Sequence, residues 1–313
     1  VANEDHLLKE IRESAPMLPI KDQFAPQLLV SQTKLIHRSE GIGYHLCSKT
    51  LPKGSFYQHT YGVSIAAPEL SLLHAAKAVG SKGIVTLLEL CCEFMGCYTL
   101  CEGTMRGFVE CPPLVTRERL IEYIGNLPRG TRGGALLRRA VALAGENSRS
   151  PRETECFLAM TLPPEIGGFN LPCPTMNPPI PISEEDGVLS DDDHYLADLN
   201  WSDKNTIFEY DGDFDHSSPS RVARDKERRS VLASMGHTVI VAVKDSMSED
   251  DSYLRKIAQV FRALDIPMPS FNSKEQAAQF KLRRVLFNPI HHFASPYITP
   301  IIPNREDAKN DWD

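Results

Sequence analysis

Apolar residues recur at helical spacing in several stretches set apart by proline and glycine. Ala67-Pro68-Glu69 opens the first clear stretch, with Pro in a first turn and Leu70, Leu73, His74 and Lys77 following. Ser81 is expected to cap a second helix, whose stripe is Ile84, Leu87, Leu88 and Cys91. Thr116 caps a third, with Leu120, Ile121 and Ile124 expected on one face. Arg132–Ala144 reads as a fourth, and Ser150 caps a fifth over Pro151–Leu162. Arg221–Met235, ended by Gly236, and Ser248–Leu264 complete the predicted helices. Strands are expected at Gln27–Leu35, Ser55–Ile65, Tyr195–Leu199, Thr206–Tyr210 and the β-branched run His237–Val243. Leu171–Ile182 carries five prolines, which leaves room only for a short edge strand.

This order predicts an α/β protein in three parts. Residues 1–147 read as a mainly helical α+β domain. Residues 148–288 read as a second domain, with a helix, a small mixed sheet and flanking helices. Residues 289–313 form a polar, Pro-containing tail. The composition change at Gly145-Glu146-Asn147-Ser148 places the boundary, and the acidic stretch Ser183–Asp193 reads as a solvated loop.

Hydrophobic residues make up 42% of the 313 and charged residues 24%, which excludes a wholly disordered or fibrous chain. No apolar run is long enough to cross a bilayer, so no membrane partner is expected. The segment Val1 to Glu13 is charged and lacks the apolar centre of a secretory signal. Eight cysteines at this length are too sparse for a disulfide scaffold, and the expected location is the cytoplasm, with reduced thiols. A net charge of −7 means that any nucleic-acid binding must rest on local patches.

Chemistry concentrates in the second part. Asp198 ends one expected strand, and Glu209 and Asp211 end the next. Antiparallel neighbours bring Asp198 beside Glu209, and period-2 alternation puts Glu209 and Asp211 on one face. An acid at a strand end is also an ordinary turn residue, as Asp213 and Asp215 read here. Glu209 differs because it sits inside the apolar run Ile207-Phe208-Glu209-Tyr210, where a charge is costly unless paired or metal-bound. Crowded carboxylates of this kind suit Mg²⁺ or Mn²⁺, which activate water and neutralise a scissile phosphate.

Several pieces in order then carry a resemblance: Ser150-Pro151-Arg152-Glu153-Thr154; Asp198-Leu199-Asn200-Trp201; Phe208-Glu209-Tyr210-Asp211-Gly212 with His216 after it; Arg224-Asp225-x-x-Arg228; and Gly236-His237-Thr238-Val239-Ile240. The series resembles the endonuclease-like domain of the PD-(D/E)XK superfamily over about residues 148–265. It is similar to very-short-patch-repair endonucleases, and to endonuclease-like proteins whose N-terminal halves resemble type IV abortive-infection antitoxins. The resemblance implies a restriction-endonuclease-like fold and a metal-dependent cleavage of DNA. It implies catalytic roles for Glu153, Asp198, Glu209, Asp211 and His216, with Asp198 and Glu209 as metal ligands. The signature places Lys two residues after the strand acid; this chain has Asp211. His216, Arg224 or Arg228 is then the expected source of the missing cation.

Arg221, Arg224 and Arg228 share a helix face at i, i+3 and i+7, a spacing suited equally to phosphates and to a solvated amphipathic helix. Arg129, Arg132, Arg138, Arg139, Arg149 and Arg152 make a second basic stretch. Cys91, Cys92, Cys97 and Cys101 lack the spacing of paired zinc knuckles and read as core residues. Three functions remain open: a Mg²⁺- or Mn²⁺-dependent DNA nuclease, a catalytically silent nuclease fold that binds DNA or regulates a partner, and a carboxylate-pair hydrolase acting on sugars.

Overall fold

The computed structural model describes residues 27–36, 43–47, 50–58, 64–101, 104, 106–182, 193–212 and 219–287. Its elements, in chain order, begin with four short strands: β1 (Gln27–Val30), β2 (Gly43–Leu46), β3 (Phe56–Gln58) and β4 (Ser64–Ala66). Helices α1 (Pro68–Val79) and α2 (Ile84–Met95) follow, then the ribbon of β5 (Tyr98–Leu100) and β6 (Phe108–Glu110). Next come α3 (Arg117–Gly125), α4 (Gly134–Leu143) and α5 (Pro151–Thr161). The strands β7 (Thr175–Met176), β8 (Pro179–Pro181), β9 (His194–Leu196), β10 (Leu199–Trp201) and β11 (Thr206–Asp211) lead to α6 (Pro219–Ser234). The described chain finishes with β12 (Thr238–Val243), α7 (Lys244–Ser248), α8 (Asp250–Ala263) and α9 (Ser273–Leu286). The architecture is thus mixed α/β, with helices around small sheets.

The largest sheet has four strands in the order β12-β11-β10-β7. β11 runs parallel to β12, and β10 is antiparallel to both β11 and β7. Alternation along β11 gives the sheet two different faces. Phe208 joins a large core with Phe157 of α5 and Phe261 of α8, whereas Ile207 joins a smaller cluster with Val231 and Leu232 of α6. α6 therefore lies on one face and α5 and α8 on the other.

Helix starts follow local chemistry. The side chains of Thr116 and Ser150 cap α3 and α5, each accepting the N–H three residues on. Ser81 does not cap α2: Ser81–Gly83 forms a 3-10 turn, and α2 starts one residue after Gly83. Ile121, expected on the apolar face of α3, is 57% exposed, because Leu120, Tyr123 and Ile124 fill that face. The expected single strand at 195–199 breaks in two. His194–Leu196 pairs with β8, and from Leu199 the chain changes partner to β11. The expected helix at 248–264 is α8, which starts two residues later at Asp250, after the short α7, and α9 has no counterpart in the sequence reading.

The expected boundary at 147/148 falls in the connection between α4 and α5, and apolar packing crosses it. Leu88 and Met95 of α2 belong to the same core as Leu158 and Phe208. Polar contacts cross it as well: the Cys97 N–H donates to the Ser148 carbonyl at 2.6 Å, and Tyr98 shares a hydrogen bond with Thr154 at 3.1 Å. No disulfide joins any of the eight cysteines, and Cys91 and Cys92 are buried in α2. Among the described residues no helix is long and apolar enough to cross a membrane. The acidic stretch, apart from Asp193, and the tail lie outside the described residues.

Candidate active site

The site forms where β10 begins. Register pairs Leu199 with Phe208, so the next step along the ladder sets Asp198 against Glu209. No backbone pair continues there. Instead the Tyr210 N–H donates to Asp198 Oδ2 at 2.7 Å, which fixes the carboxylate at the strand edge. The Asn177 N–H donates to the Asp198 carbonyl at 3.2 Å.

Glu209 and Asp211 project from one face of β11 towards α6. Arg228 Nη2 donates to both oxygens of Glu209, each at 2.8 Å, and to the Leu196 carbonyl. Its guanidinium lies 5.7 Å from the centre of the Tyr195 ring. Arg229 Nη2 donates to Asp211 Oδ2 at 3.0 Å. Asp198, Glu209, Asp211, Arg228 and Arg229 line one cleft of about 150 Å³.

Glu153 stands beside this cleft and does not line it. As the third residue of α5 it folds back on the helix start. Its carboxylate accepts the Arg149 N–H at 2.8 Å, the Ser150 hydroxyl at 2.8 Å and Asn177 Nδ2 at 2.6 Å. The residue is therefore engaged with the chain reversal before α5, much as in a capping box. Asn177 ties it to Asp198, since one residue binds the Glu153 side chain and the Asp198 backbone.

The electrostatics follow from burial. Burial is the largest influence lifting the Asp198 carboxyl well above the usual range; repulsion from Glu209 and Glu153 adds to it, and the Tyr210 N–H and Arg228 pull back. Burial pushes Glu209 up to about 7, against the pull of Arg228 and Arg229 and with a further push from Glu153. Glu153 is raised by burial and drawn down by its three donors. Burial and mutual repulsion that disfavour the ionised form mark a place where a cation or a transferable proton is favoured.

Among the described residues no group of three or more His, Cys, Asp and Glu is arranged to hold a metal ion. Three carboxylates line the cleft: Asp198 and Glu209, which stand opposite each other, and Asp211, which Arg229 engages. Mg²⁺ commonly keeps several waters and binds through one or two carboxylates plus substrate phosphate, so the opposed pair fits such an ion. Among the described residues no lysine lines the cleft.

The remaining expected residues are placed as follows. Arg224 is exposed on α6 and does not line the cleft. The side chain of Arg221 lies outside the described residues, as does His216. The sequence pattern does not single out Arg229 or Asn177 as site residues. Arg229 is one of several basic residues on its helix and lies off the i, i+3, i+7 face that holds Arg228. Asn177 had one weak signal, an Asn suited to the positive backbone φ of 50° that it adopts after β7.

No family model, curated protein or solved structure matches the chain.

Proposed function

We propose that the protein is a metal-dependent nuclease of the PD-(D/E)XK type that hydrolyses phosphodiester bonds in DNA. The observation that supports this reading best is the opposition of Asp198 and Glu209 in one cleft, with two arginines beside them. Asp198 and Glu209 would hold Mg²⁺ or Mn²⁺, which supplies water activation and charge neutralisation at the phosphate. Asp198 is held for this role by the Tyr210 N–H. Burial pushes the Glu209 carboxyl up to about 7, so a cation that takes the place of its proton is favoured there. Arg228 and Arg229 supply the positive charge that the superfamily draws from a lysine. Glu153 acts as a positioning residue, through Asn177, on the Asp198 segment.

A second reading has its own support. Arg228 engages both oxygens of Glu209, and Asp211 stands where the superfamily places lysine. A nuclease fold neutralised in this way suits a DNA-binding or regulatory protein without turnover. Plasmid nicking distinguishes the two. The first reading expects nicking that needs Mg²⁺ or Mn²⁺ and vanishes in Asp198→Asn. DNA binding with no metal-dependent nicking establishes the second.

A further inference from the structure

The two arginines of the cleft are both held by acids of β11. Arg228 grips the two oxygens of Glu209, and Arg229 reaches Asp211. The matching arises from the fold: alternation puts residues 209 and 211 on one face, and α6 crosses that face with consecutive arginines. A guanidinium engages a phosphate through the same fork of N–H donors that it turns towards a carboxylate. What these residues now do for Glu209 and Asp211 they can equally do for a phosphodiester.

Charge decides when the exchange occurs. Among the described lining residues, three acids in their ionised form stand against two arginines, a formal charge of −1. A phosphodiester entering alone meets that negative charge and strips Glu209 of its partner. A divalent cation reverses the sign of the lining, and it competes with Arg228 for the same Glu209 oxygens.

We infer that Arg228 and Arg229 form a subsite for a nucleic-acid phosphodiester that Glu209 and Asp211 keep closed, and that a divalent cation taken up at Asp198 and Glu209 opens it by releasing Arg228. This rests on the reading of the cleft as a cation site. Two consequences separate it from an ordinary basic patch. Cation and phosphodiester bind with positive coupling, and the coupling is reciprocal. Removing the positive charge of Arg228 strengthens cation binding, because a competitor has gone.

The test is binding, not turnover. Mn²⁺ affinity is measured by calorimetry, and affinity for a short DNA duplex by fluorescence anisotropy, each with and without the other ligand, for the wild type, Arg228→Met and Arg228→Lys. In the wild type, Mn²⁺ should tighten duplex binding about tenfold and the duplex should tighten Mn²⁺ by the same factor. Arg228→Met should bind Mn²⁺ alone more tightly than the wild type and lose the coupling. Arg228→Lys, which keeps the charge and the fold but not the fork, should retain only part of it. Equal Mn²⁺ affinity in the wild type and Arg228→Met, with coupling unchanged, overturns the inference and leaves the cation site standing. Absence of Mn²⁺ binding in all three proteins overturns the cation site itself. Coupling to inorganic phosphate but not to the duplex overturns the assignment to nucleic acid.

Discussion

Tyr210 donates its backbone N–H to the Asp198 carboxylate at 2.7 Å, one residue beyond the point where β10 and β11 stop pairing through their backbones. The side chain thus extends the ladder by one bond. It also becomes the fixed end of the cleft, since a carboxylate anchored through one oxygen has the other to offer.

Asp198→Asn should keep this bond through its amide oxygen, and it removes a buried charge. Its melting temperature should stay close to that of the wild type or rise. Asp198→Ala strands the Tyr210 N–H and should cost about 1–3 kcal/mol. Chemical denaturation of both variants checks the difference.

Glu153→Gln separates a positioning role from a metal-ligand role. Three donors point at the Glu153 carboxylate, so an amide group there must face at least one of them. The variant should lose about 1–3 kcal/mol of stability. It should also keep most of its Mn²⁺ affinity, whereas Glu209→Gln loses it. Calorimetry on the two variants reads the contrast.

Glu89 on α2 predicts a pH dependence remote from the cleft. Burial, then Glu155 and Glu93, push its carboxyl up to about 8. Because the folded value lies above the ordinary 4.5, the folded protein binds the extra proton. The stability from this group is complete below that ordinary value and is lost as pH rises through about 8. Melting temperature should therefore fall as pH rises from about 4.5 to about 8 and level off above that, and Glu89→Gln should flatten the decline.

Gly167 should tolerate no side chain. Its φ is 109°, and an added Cβ would stand 2.4 Å from the Ala278 carbonyl oxygen of α9. Gly167→Ala should push α9 away from its seat on α5, at a cost above about 2 kcal/mol. Hydrogen exchange should show the loss first in α9.

Much of this fold is legible in the sequence, for a local reason. The capped helices α3 and α5 and the strands β11 and β12 carry their signals within a few residues: Thr116, Ser150, and the runs Ile207–Tyr210 and Val239–Val243. The strand break at Asp198 is not legible, because alternation continues while the hydrogen-bonding partner changes from β8 to β11. α9 did carry a local signal, the capping box of Asn272 and Glu275. Its buried face mixes the polar Gln279 and Arg283 with Leu282 and Leu286, so the apolar stripe is short. At the site, strand alternation grouped the acids correctly on β11. The pairing of Arg229 with Asp211 depends on how α6 crosses the sheet, which residue spacing does not encode.

The most direct test of the central claim is an anomalous difference map from crystals soaked in Mn²⁺. The account predicts one peak in the cleft, within coordination distance of carboxylate oxygens of both Asp198 and Glu209, with the Arg228 guanidinium moved off Glu209. A map with no peak there, and Arg228 still on both Glu209 oxygens at saturating Mn²⁺, would contradict it.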